Sequence, residues 1–133
     1  MNGLPRRVIR AAGLCAVLAS APLLLQAASV EEQLSEARNQ CSTGSVESGL
    51  ELLHSSGLLT PTAPPSLQVS EALLVNADCL LAKGLTQQAQ LSLEQGLIKS
   101  RSLGQHSWEL TFLKRLGETH LALGNTQQAR FYL

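Results

Sequence analysis

Aromatic side chains are almost missing from this chain: one Trp, one Tyr and two Phe among 133 residues, or 3%. A β-sandwich or barrel of this length draws on aromatic and β-branched residues for its strands, so that shortage argues against an all-β fold. Charge of one sign is also lacking. The formal net charge is zero, and once the arginines at positions 6, 7 and 10 are set aside, seven basic residues face ten acidic ones. Lys and Arg stand singly, with no basic stripe to follow a phosphate backbone, which excludes nucleic acid as a partner. Catalytic patterns are absent too. No Gly-x-Ser-x-Gly elbow occurs, and Gly44 to Gly49 is followed by Leu50 where a phosphate loop needs Lys and Ser or Thr. His54, His106 and His120 lack metal-ligand spacing, so neither a metal nor any other cofactor is expected.

What is present is an address and a repeat. Arg6, Arg7 and Arg10 precede an apolar run from Ala11 to Leu25, which ends in the small residues Ala27, Ala28 and Ser29. That layout predicts a secretory signal over 1–28, cleaved near Ala27 or Ala28, and hence export to the periplasm. The alternative is an uncleaved inner-membrane anchor, since Ala11 to Ala28 approaches the length of a membrane span. Export leaves Cys41 and Cys79 in an oxidising compartment, where a disulfide and two independent buried thiols are both open.

The stretch Ala82-Lys83-Gly84-Leu85-Thr86-Gln87-Gln88-Ala89 returns as Ala122-Leu123-Gly124-Asn125-Thr126-Gln127-Gln128-Ala129, 40 residues later. The same register finds a more diverged copy upstream. Gly44, Gly84 and Gly124 share a column, as do Ala37, Ala77 and Gly117; Gly49, Ala89 and Ala129; and Leu53, Leu93 and Leu133. Several columns in one register mark stacked units, each too small to bury its own apolar face.

Each unit reads as helix, tight turn, helix. In the middle copy Leu73, Leu74, Ala77, Leu80 and Leu81 form one apolar stripe at helical spacing, Gly84 closes the helix, and Thr86 stands where it would cap the next. The last copy repeats this with Leu110, Leu113, Leu116, Leu121, Gly124 and Thr126. In the first copy Ser29-x-x-Glu32 matches a capping box, while Gln33 and Glu36 replace leucines of the last copy, as expected of an N-terminal cap. The units therefore run over 29–57, 70–103 and 104–133. The proline-rich 58–69 between the first two is a plain connection that no helix crosses. The third unit stops in mid-helix at Phe131-Tyr132-Leu133 with no polar cap, which predicts a longer native chain.

These columns resemble the tetratricopeptide repeat. The matching residues are Leu113, Leu116-Gly117, His120, Ala129 and Leu133 in the last copy, and Leu73, Asn76-Ala77, Leu80, Ala89, Leu93 and Gly96 in the middle one. Leu or His stands at the family's aromatic positions, and the period exceeds the usual ~34 residues. The resemblance, which covers 30–133, implies an all-α fold of antiparallel helix pairs stacked as a right-handed α-solenoid. It also implies a concave groove formed by the first helix of each unit, in which Arg38, Asp78, Lys114 and Glu118 would meet a protein or peptide segment. The long period is similar to that of bacterial arrays that precede a diguanylate cyclase, a histidine kinase or a caspase-like peptidase. A non-enzymatic scaffold is thus the first expectation. The alternative is the sensory part of a signalling enzyme whose catalytic domain lies beyond residue 133. His120 and Trp108 read as packing residues, with Trp108 as a partner's anchor the alternative.

Overall fold

The computed structural model describes residues 30–133; the expected signal over 1–28 and the Ser29 capping box lie outside them. The described residues form six helices and no strand. They are α1 (residues 30–43), α2 (Val46–Ser55), α3 (Leu67–Ala82), α4 (Thr86–Ser102), α5 (His106–Ala122) and α6 (Thr126–Tyr132). The fold is all-α. Gln33–Leu133 form one compact unit. From α2 onward each helix packs chiefly on its neighbours in sequence.

Glycine sets the helix boundaries. Gly84 has φ of 80°, donates to Leu81 O at 3.0 Å, and lets Leu85 N–H reach back to Leu80 O at 2.9 Å. This double closure needs a left-handed residue, where a side chain would crowd the backbone. Gly124 repeats it, with φ of 77° and Asn125 N–H bonded to His120 O at 2.9 Å. Gly104 closes α4 in the same way, through Gln105 N–H to Ser100 O at 3.0 Å. Turns thus recur every 20 residues from Gly84 to Gly124, so the 40-residue period is two equal steps. A further step back falls on Pro64, inside the connection.

The caps differ from expectation. Thr86 is the first residue of α4, and its N-cap is Leu85, which makes no side-chain cap bond; Asn125 likewise precedes α6 without one. The reason is the brevity of the turn. The chain re-enters helix two residues after the left-handed glycine, which leaves Thr86 and Thr126 one position too late to face the free N–H groups. The side-chain cap is instead at Ser66, which accepts from Val69 N–H at 3.1 Å. It follows Pro64-Pro65, so α3 begins at Leu67, within the stretch expected to be connection. That connection also packs: Leu58, Leu59 and Ala63 lie against the core, and Ala63 O accepts from Lys99 Nζ at 2.6 Å.

The central core joins Val69, Leu73, Ala77 and Leu80 of α3 with Ala89, Leu93 and Leu97 of α4 and Phe112 and Leu116 of α5. Each such Leu or Phe contributes roughly 1.5–3 kcal/mol by leaving water. In α5 the inward face differs from the expected stripe. Leu110 and Leu121 are exposed, while Phe112, Leu116, Gly117, Thr119 and His120 are buried. Phe112 is the largest side chain fully enclosed, and its ring lies where a Cβ at Gly96 would stand. A glycine in the middle of α4 is what admits the ring.

Candidate functional site

Four residues were expected to share one face, and three of them, Arg38, Asp78 and Glu118, stand 40 apart in a single register column. They come from α1, α3 and α5, alternate helices along the chain. Arg38 donates to Glu71 Oε1 at 2.9 Å. Asp78 accepts from the Arg115 guanidinium, reached across from α5. Arg115 also lies 3.7 Å from Glu118, which in turn faces Lys114 at 3.8 Å. Arg38 and Glu118 both act on the Asp78 carboxyl through space, which makes the six side chains one electrostatic group.

Glu71 and Arg115 were not among the expected residues, and their signal lies in the offsets. Glu71 follows Arg38 by the period less two helical turns, and Arg115 follows Asp78 by the period less one. A long side chain reaching from one first helix to the next spans such a slip.

Burial pushes the Asp78 carboxyl above its ordinary value, and Arg115, by charge and hydrogen bond, partly offsets this. Raised affinity for the proton means that the folded protein is favoured by Asp78 at low pH. That contribution is lost as pH rises from the unfolded carboxylate range through the folded value. Arg115→Gln removes the opposing charge, so the Asp78 titration followed by carboxyl-detected NMR is expected to move further up. A downward or absent shift would show that Arg115 does not govern this carboxylate. Glu47 and Glu109 behave in the opposite sense. Hydrogen bonds from Lys83 and Arg101 hold them below the usual range, so their small contributions fade as pH falls.

Of the three cysteines in the sequence, Cys15, Cys41 and Cys79, the last two are joined. A Cys41–Cys79 disulfide links α1 to α3 with Cα atoms 5.1 Å apart, beside Asp78 and one turn from Arg38. His120 is buried, its ring stacked on Tyr132 at 5.3 Å and its Nδ1 3.3 Å from Gln90 Nε2, an arrangement that locks α6 onto α5. Trp108 is half-buried against the core, 6.0 Å from Phe112. Among the described residues no group of three or more His, Cys, Asp or Glu could hold a metal ion. No helix among them is long and apolar enough to cross a membrane.

Comparison with protein-family models, with curated proteins and with solved structures gave no match. The reading of the charged face therefore rests on its own chemistry. Six charges, three of each sign, sum to zero and are paired with one another in the free protein. Such a face offers both carboxylates and guanidinium groups to a ligand able to exchange partners with them.

Proposed function

We propose that this chain is an exported, non-catalytic repeat scaffold of the tetratricopeptide type, a right-handed α-solenoid that binds a protein or peptide segment along the face of α1, α3 and α5. The observation that carries this reading is the charged network spanning three alternate helices, with Asp78 and Arg115 at its centre. Contacts between successive helices and turns recurring at equal steps support the solenoid. A disulfide between the cysteines agrees with an oxidising compartment.

A preformed face of this kind supplies fixed anchors at little cost in ordering, so affinity for a segment turns on a few of them. Selection of a random peptide display library against the full-length chain tests the reading. Enriched peptides are expected to bind about tenfold more weakly to Arg115→Ala, the loss of roughly 1.4 kcal/mol. Binding to Lys83→Ala should be unchanged, because its pair with Glu47 lies outside the network. Peptides indifferent to Arg115 would place the binding surface elsewhere, and failure to enrich any sequence would sink the proposal.

A further inference from the structure

The first helix pair holds to the rest of the fold differently from the others. The nine buried residues of the central core come from α3, α4 and α5. Leu34, Ala37 and Cys41 of α1 and Leu53 of α2 are buried but stand outside that cluster, on which α2 lays the half-buried Leu50. Two largely exposed ion pairs, Arg38–Glu71 and Lys83–Glu47, cross from this pair to α3 and its end, and such pairs in water hold little. α2 also packs directly on α3, whose Ala72, Val75 and Cys79 are buried outside the central core, and one further tie is covalent. The Cys41–Cys79 bridge closes a stretch with a sequence separation of 38, which contains all of α2 and the proline-rich connection. Opening it frees a long loop, and the entropy of a long loop is what a bridge mainly removes from the unlinked chain.

We infer that α1 and α2 form a redox-latched end of the charged face, docked on α3 while Cys41 and Cys79 are bonded and released from it when they are reduced. Release carries Arg38 away from Glu71 and Asp78, so the oxidised chain presents six charges on this face and the reduced chain presents five. The consequence for ligands rests on the reading of this face as a binding groove; the release itself does not.

The chemistry balances as thiol–disulfide exchange with a small organic dithiol. One thiolate of the reagent attacks a bridge sulfur and expels the other cysteine as a thiolate. The second thiolate of the reagent then attacks the mixed disulfide, freeing the remaining cysteine and leaving the reagent as a cyclic disulfide. Two electrons and two protons pass to the protein. Cys79 is fully enclosed and Cys41 nearly so, which means that reagent reaches the bridge only when the end unit opens.

Hydrogen exchange read by mass spectrometry tests the inference on the full-length chain with Cys15→Ser, which leaves the two paired cysteines alone. In excess dithiol, amides of 33–55 are expected to exchange at least tenfold faster than in the oxidised protein, with α4 and α5 unchanged. Unchanged protection over 33–55 would overturn the latch, as would an equal loss through α4 and α5, which would make the bridge a global staple. A Cys41→Ala/Cys79→Ala variant needs no reductant and should match the reduced protein in both buffers; protection equal to the oxidised chain would also overturn the proposal. If no peptide binds either form, the groove reading fails while these exchange results still decide the latch.

Discussion

Phe112→Ala is expected to cost about 3–5 kcal/mol, the range for removing a fully buried ring. Against a total of roughly 5–15 kcal/mol for a domain of this size, that is a large share, and it lowers the melting temperature by on the order of 20 °C. The site gives a sharper test than the loss alone. Gly96 faces the ring so closely that an added Cβ would overlap it, and Phe112 is enclosed with no room to withdraw. In the wild-type background Gly96→Ala should therefore destabilise by about 1–3 kcal/mol through overpacking. Once the ring is gone the clash disappears and helix propensity remains, worth up to about 1 kcal/mol in favour of Ala. The effect of Gly96→Ala should change sign between the two backgrounds, as read from urea midpoints. Equal costs in both would show that the glycine serves something other than the ring.

That pair also shows where the sequence was readable and where it was not. The register of Gly44, Gly84 and Gly124 was legible because a left-handed turn admits few substitutes, so the constraint is written in residue identity. The inward face of α5 was not. Leucines at 110, 113, 116 and 121 invite a stripe, but the helix is apolar on more than one side, and periodicity alone does not choose between them. Gly96 was the available clue, since a glycine within an otherwise good helix former marks a close approach. The threonines misled for a related reason: a good cap residue near a helix start counts only if the turn is long enough to place it before the first helical residue. For the charged face, column arithmetic found Arg38, Asp78 and Glu118, while Glu71 and Arg115 became readable only when the first helices proved to be neighbours.

Gly49→Ala is the substitution that the repeat register itself recommends, and it is expected to fail. The equivalent residues Ala89 and Ala129 are both buried. Ala at position 49 would also favour helix by up to about 1 kcal/mol. At Gly49, however, a Cβ would stand 2.5 Å from Cys41 Sγ and 2.9 Å from the carbonyl oxygen of Ala37. Neither can step aside, because the oxygen belongs to the backbone of α1 and the sulfur is pinned by its bond to Cys79. Leucines occupy the cysteine's column in the later copies, at Leu81 and Leu121, so this obstruction belongs to the first unit alone. Overpacking of about 1–3 kcal/mol outweighs the gain in propensity, and the oxidised protein should lose on the order of 1–2 kcal/mol. In the reduced chain the sulfur is free to rotate, which leaves the Ala37 carbonyl as the one fixed obstacle, so the penalty should shrink. Denaturant midpoints of Gly49→Ala with and without dithiol measure both quantities. A loss of the same size in the two buffers would mean that the carbonyl of Ala37, and not the bridge, is what keeps this position a glycine.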